Sequence, residues 1–277
     1  MLMTYKFDPR SNGDCKQVLA RISSCIDVIN AWMIQNTLRL NQDKTEFFLI
    51  ANRNVSATLS DLHLHLGELS IQRSPSIKNL GVIFDESLTM TNHVNTICKS
   101  VNFHIRNIWR IRRFITGHHV VRGLVLSRLD YANSLLNGAR EVDLTRQRLQ
   151  NKAARLVMAC GRDQSSIDLL RELHWLPVRQ RIAFKLLLYV YKAINNLAPS
   201  YLSSMTHLQN TGSAERRPRL RSSSDSTRLV VQRSHKRAGD VSFSIAAARL
   251  WNDLPISVRE AQSLPAFKRL LKTYLFP

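Results

Sequence analysis

Apolar residues along this chain fall into two regimes, a mixed one first and a persistently helical one after it. Val18, Leu19, Ile22, Ile26, Ile29 and Met33 recur at three- and four-residue steps, which predicts an amphipathic helix over about residues 16–34. Thr45 to Ala51 is short, rich in strand formers, and reads as a strand. Leu62-His63-Leu64-His65-Leu66, then Gly67-Glu68, then Leu69-Ser70-Ile71 alternate with period two about a turn, the pattern of a hairpin. Ile77 to Phe84 reads as one further strand, opened by Pro75. From Met90 onward the period is helical. Val94, Ile97, Val101, Ile105, Ile108 and Ile115 make one stripe, and helices are predicted over about 118–137, 141–160 and 165–173, broken at Gly117, Gly138 and Gly161. After Leu176-Pro177, residues 178–195 are apolar nearly all round, the mark of a helix inside a core. Shorter helices are predicted at Pro199 to Met205, Phe243 to Trp251 and Ala266 to Phe276. Gly212 to Asp240 is Ser- and Arg-rich with few large apolar residues and reads as exposed and partly mobile.

Composition narrows the class. A chain of 277 residues with 44% hydrophobic content can bury a core and suggests two domains. The longest wholly apolar run, Leu186 to Tyr191, is far shorter than a bilayer requires, and Lys6, Asp8 and Arg10 interrupt the N-terminal stretch where a signal peptide needs an apolar core. The expectation is a soluble intracellular protein, with nucleus and cytoplasm both open. Cys15, Cys25, Cys98 and Cys160 are scattered, without a close pair, and read as reduced core thiols rather than a zinc site. The formal charge of +20 changes the picture most. Residues 1–100 carry 10 Lys/Arg against 9 Asp/Glu, whereas the remainder carries 30 against 11. A polyanion is the natural partner of such a half, because neutralised phosphates release condensed counterions. Membrane binding is the weaker alternative, as no segment joins a basic run to a broad apolar face.

Arg106, Arg110 and Arg113 stand at i, i+4 and i+7 beside the apolar seam of Ile105 and Ile108, and Arg148, Lys152 and Arg155 repeat that spacing. Either stripe alone is what a solvated helix face looks like; two of them, with few carboxylates nearby, suit a groove that tracks a nucleic-acid backbone. Asp85-Glu86 is expected to cap the helix that follows it. Trp175 and Trp251, each beside a Leu-Pro pair, read as core anchors that fix helix ends. Arg216 to Arg221 and His235-Lys236-Arg237 are equally a nuclear-import or RNA-binding patch and a charged linker. His63 and His65 share a strand face with no third ligand near in sequence, and His118 and His119 open a helix. No Gly-x-Ser-x-Gly elbow, His-Glu-x-x-His, Walker loop or Gly-x-Gly-x-x-Gly is present. No metal ligand set and no small-molecule substrate are expected.

Two early blocks, Leu38 to Ile50 and Ile77 to Asp85, are followed by Leu129-Asp130-Tyr131-Ala132-Asn133-Ser134-Leu135-Leu136, Leu149 to Leu156, Leu173-His174-Trp175-Leu176-Pro177-Val178, Phe243 to Pro255 and Phe267 to Thr273. In this order they resemble the end of the palm, the thumb and the C-terminal extension of reverse transcriptases of non-LTR (LINE-type, jockey-like) retrotransposons. The resemblance implies an α+β, mostly helical chain. It places a partial palm (helix, strand, hairpin, strand) at 1–88, a helical thumb at 89–162, and a helical extension at 163–277 containing the basic segment 212–240. It implies that Lys44 matches a lysine able to protonate the departing pyrophosphate. It also makes Leu80 to Asp85 a primer-grip-like hairpin, where Gly81 allows close backbone approach and Lys78 and Asn79 can meet phosphate. In that family the metal-binding aspartate pair precedes the first helix, and none precedes it here. The expectation is therefore an RNA-directed DNA polymerase fragment that binds RNA, RNA–DNA hybrid or DNA. It would have no catalytic residue, metal or cofactor of its own, the Mg²⁺ belonging to the intact family enzyme. The alternatives are a non-enzymatic RNA- or DNA-binding module and a non-functional pseudogene product.

Overall fold

A computed structural model describes residues 12–41, 44–50, 62–66, 69–114, 117–138, 140–206, 227–234 and 237–276. The chain is α+β and mostly helical, and it divides into two compact units, Met1–His93 and Val94–Pro277. Residues on either side of 162 belong to one unit. No helix among the described residues is long and apolar enough to cross a membrane.

In the first unit the periodic run from Val18 to Met33 forms helix α1 (Asn12–Gln35), which packs on β1. Strands β1 (His63–Leu66) and β2 (Leu69–Gln72) pair antiparallel, with Leu64 opposite Ile71 and His65 opposite Ser70. The segment Ile77–Phe84 departs from the single strand expected. It is a second hairpin, β3 (Ser76–Asn79) and β4 (Val82–Asp85), with Lys78 opposite Ile83. The reason is local: Leu80 and Gly81 both take positive φ, 47° and 82°, which turns the chain in two residues. A leucine in that region is sterically unfavourable, so nothing in the alternation announced the turn. The strand expected at Thr45 to Ala51 does not form either. Phe47 makes one isolated parallel bridge to Arg73, fixed by the Ser74 amide donating to its carbonyl at 2.8 Å; residues 48–50 find no ladder, and Ala51 lies outside the described residues. Among the described residues the order is therefore helix, hairpin, hairpin, in two separate two-stranded sheets.

The second unit begins within α2 (Thr91–Ile111), whose buried seam is Val94, Ile97, Val101 and Ile108. The helix expected over 118–137 runs without a break through α3 (Gly117–Val121), a π turn (Arg122–Leu126) and α4 (Ser127–Asp130), is interrupted at Tyr131 and Ala132 (φ 50°), and ends in a 3-10 turn (Asn133–Leu136). Gly138 ends the run at φ 82°, and a Cβ there would stand 2.5 Å from the Val241 side chain. Helices α5 (Arg140–Met158), α6 (Ser166–Glu172) and α7 (Val178–Ile194) follow their predicted spans closely. As its all-round apolar pattern predicts, α7 is central, packed by α5, by the 3-10 turn, by α8 (Ser200–Ser203), by α10 (Phe243–Asn252) and by α12 (Leu264–Leu275). Two short helices were not foreseen, α9 (Arg237–Asp240) and α11 (Ile256–Arg259).

Prolines start four of the helices. Pro177, Pro199 and Pro255 precede α7, α8 and α11 with extended ψ, and each carbonyl accepts the first helical hydrogen bond; Pro265 sits in the first turn of α12. Trp175 and Trp251 are buried as anchors beside them. Trp251 and Tyr191 both pack on Phe267, Tyr191 stacking at 4.2 Å between centroids. The end of the segment expected to be exposed is instead tied down. Leu229 is buried, its backbone exchanges two hydrogen bonds with the Asn252 side chain, and the Trp251 indole donates to the Thr227 carbonyl. Residues 207–226 and 235–236, with Arg216 to Arg221, lie outside the described residues.

Phe267 has no exposed surface, so Phe267→Ala leaves a cavity under two aromatic rings. It is expected to lower unfolding stability by about 3–5 kcal/mol in denaturant titrations. Burial pushes the Cys98 thiol above its ordinary pKa, against a smaller opposite pull from Arg146. Cys98 is therefore expected to react with thiol reagents far more slowly than half-buried Cys25 and Cys160, which mass mapping of a timed alkylation reads directly.

Candidate functional site

In the first unit, Lys44 is exposed and its backbone amide bonds to Asn41, main chain and side chain. On the second hairpin Lys78 is exposed, Asn79 half-buried, and Gly81 stands at the exposed turn. Lys78, Asn79 and Gly81 thus share one small hairpin. Asp85, the first of the adjacent acidic pair, is engaged in structure. Its carboxylate accepts from the Thr89 amide at 2.9 Å, the Thr89 hydroxyl at 3.0 Å and the Met90 amide at 2.8 Å, holding the turn that leads into α2. Glu86 pairs with Arg73 at 2.9 Å. Both carboxylates have local tasks. Buried His93 lies beneath the hairpin, its Nδ1 accepting from the Ile83 amide at 3.5 Å.

In the second unit, α2 carries no Asp or Glu along its length. Lys99, Arg106 and Arg110 are exposed on it, and Arg112 and Arg113 follow in the turn at its end, also exposed. The Arg112 guanidinium lies 4.9 Å from the Trp109 ring centroid. His104, between Phe103 and Ile105, has its pKa lowered, first by desolvation and then by the Arg128 charge. On α5, Arg148 and Lys152 are exposed as their spacing implies. Arg155 is not free in the same way. Its guanidinium donates to Ser166 Oγ at 2.7 Å and to the Gln164 carbonyl at 3.5 Å, fastening the loop before α6. The two stripes lie on separate helices, and Arg128 of α4 donates to Ser100 of α2 at 3.2 Å.

Pattern reading missed a polar cluster at the junction of α4, α5 and α7. Arg181 grips both oxygens of Asp130, by Nε at 2.7 Å and by Nη2. Buried Arg146 donates to the Leu129 carbonyl. Gln147 accepts from the Val178 amide at 2.8 Å, satisfying an orphan N–H at the start of α7, and buried Gln150 donates to the Leu176 carbonyl at 2.9 Å. The clue available in sequence was polar residues inside an apolar seam: Arg146 and Gln150 sit with Leu149 and Ala153 on α5. Its printed contacts run to carbonyls, an amide and one carboxylate, and they tie the three helices together, while the Gln150 Oε1 is buried there without a hydrogen-bond partner. Also missed were the exposed aromatics Phe103, Trp109 and Phe114.

Among the described residues no group of three or more His, Cys, Asp or Glu is placed to hold a metal ion. Compared with known family models, curated proteins and solved structures, the chain matches none.

Asp130 is 38% exposed and Arg181 20%, so solvent weakens the pair. A double-mutant cycle of Asp130→Asn and Arg181→Gln is expected to give a coupling of about 1–2 kcal/mol in stability. A coupling near zero would mean that the cluster does not order the junction.

Proposed function

We propose that the chain is the nucleic-acid-gripping part of a reverse transcriptase of the non-LTR retrotransposon kind, binding RNA or RNA–DNA hybrid without polymerising by itself. The observation that carries the reading is α2: a 21-residue helix without a carboxylate, with Lys99, Arg106 and Arg110 held out to solvent. Arg148 and Lys152 on α5 add a second exposed basic stripe. Arginine suits this role because its planar fork meets phosphate oxygens in two places. In this reading the first unit is the remnant of a palm and the second hairpin its primer grip, offering Lys78, Asn79 and the Gly81 turn to a strand. Lys44 is then a proton donor that acts only where the acidic centre is supplied. Asp85 and Glu86, being tied to Thr89, Met90 and Arg73, do not serve as such a centre.

A second reading keeps the same surfaces in a free-standing binding module. It is favoured by one fact, that Val94–Pro277 holds a compact core of its own around α7. Cooperative unfolding of a monodisperse preparation is its signature.

Affinity for an RNA–DNA hybrid should fall steeply with salt, with log K against log[salt] sloping about −4 if five phosphates are neutralised. Replacing Arg106 and Arg110 together by Gln should flatten that slope by about 2. An affinity indifferent to salt would overturn the electrostatic reading. With Mg²⁺ or Mn²⁺, primer and template present, no nucleotide incorporation is expected from the purified chain, and incorporation would refute the proposed inactivity.

A further inference from the structure

Phe103 stands in the middle of the cationic face of α2, and it is 60% exposed. Lys99 lies four residues before it, Arg106 three after and Arg110 seven after, all on one side of the helix. The opposite side carries the buried seam of Val94, Ile97, Val101 and Ile108. Both Phe and Trp side chains of α2 face solvent: Phe103, and Trp109 at 57%, about 9 Å further along the axis and about a third of a turn round it, at the flank of the cationic face. Phe114, just past the end of the helix, is 86% exposed.

A single exposed aromatic ring is ordinary on a protein surface. Three within twelve residues are less so, when each is separated from the next by cations and the helix holds no carboxylate to pair with them. The alternation decides what they fit. A membrane surface would want a continuous apolar strip, which Arg106 and Arg110 interrupt. A duplex presents phosphates to the cations but keeps its base faces closed in the stack. Only unpaired bases offer both a phosphate for each cation and a flat face for each ring.

We propose that the exposed face of α2 binds single-stranded nucleic acid, with Phe103 as a stacking platform for one base between phosphates held by Lys99, Arg106 and Arg110. Trp109 takes a second base on the ring face away from Arg112. The inference rests on the reading of a nucleic-acid partner given above and narrows it from the backbone to the bases.

The test uses the whole chain, with fluorescence anisotropy of labelled oligouridylate and of a blunt RNA–DNA hybrid of equal length. Phe103→Ala should weaken oligouridylate binding about tenfold and leave its salt slope unchanged, because a stacked base carries no counterion. Hybrid affinity should change less than about twofold. Titration with oligouridylate should quench tryptophan emission in the intact chain, and Trp109→Leu should remove most of the quench. Phe103 is exposed, so an unaltered melting curve certifies the fold of the variant. If Phe103→Ala leaves oligouridylate binding intact while the hybrid still binds with a steep salt slope, the stacking inference is wrong and the electrostatic reading stands. If neither nucleic acid binds, both fail. Binding of anionic lipid vesicles in place of either would likewise overturn the inference and assign the face to a membrane.

Discussion

Guanidinium groups drawn away from solvent hold the larger unit in its geometry. Arg146 and Arg259 are buried and Arg181 is largely so, and each is matched to oxygen: Arg146 to the Leu129 carbonyl, Arg181 to Asp130, Arg259 to the Leu254 carbonyl and the Thr227 hydroxyl. Taking a charge out of water costs several kcal/mol unless its hydrogen bonds are replaced, so these contacts tolerate little displacement. Helix α7 cannot slide along α5 without losing the Gln147 bond to Val178, the Gln150 bond to Leu176 and the Arg181 grip on Asp130 together. The apolar core supplies the stabilisation, and this polar cluster selects one register for it.

That selection bears on the surface. A chain with 40 basic and 20 acidic residues must sort its cations, because few of them can find a carboxylate. Those with carbonyls within reach turn inward, and Arg155 turns to a loop. A few meet carboxylates, as Arg73 meets Glu86 and Arg249 meets Asp240, while Lys99, Arg106 and Arg110 stand exposed on a helix face whose opposite side is needed for packing. On α2 the buried seam fixes which way Lys99, Arg106 and Arg110 point, so the orientation of the basic face follows from the position of Val101 and Ile108.

The same physics explains what could be foreseen from the sequence. Long helices were legible because burial on one side imposes a 3.6-residue period, and α1, α2, α5 and α7 follow it. The first hairpin was legible from its alternation about Gly67. The second was not legible from its alternation, since its turn puts Leu80 at positive φ and the strands either side read as one run. Thr45 to Ala51 has strand-forming residues, yet a strand exists only with a partner, and Phe47 finds a single bridge. Of the candidate contacts, the spacing placed Arg106, Arg110, Arg148 and Lys152 outward correctly. Arg155 shares that spacing but meets Ser166, a tertiary contact that no period encodes. The exposed end of 212–240 was misjudged at Thr227 and Leu229 because their partners, Asn252 and Trp251, are far along the chain.

The strings that carry the family resemblance have a common structural task. Leu129 to Leu136 supplies Asp130, Leu149 to Leu156 supplies Gln150, and Leu173 to Val178 supplies the carbonyl and amide that α5 holds. Phe243 to Pro255 supplies Trp251 and Asn252, and Phe267 packs beneath them. Each of these strings joins one element to another; Arg106, Arg110, Arg113 and Arg148 lie outside them, and Lys152 and Arg155 lie within Leu149 to Leu156. Such strings therefore speak for the fold of this unit more than for contact with any ligand. A polymerase thumb and a free-standing module built on that fold would share them equally. What separates the two is the chemistry of the exposed faces, where substitution leaves the core untouched and binding alone responds.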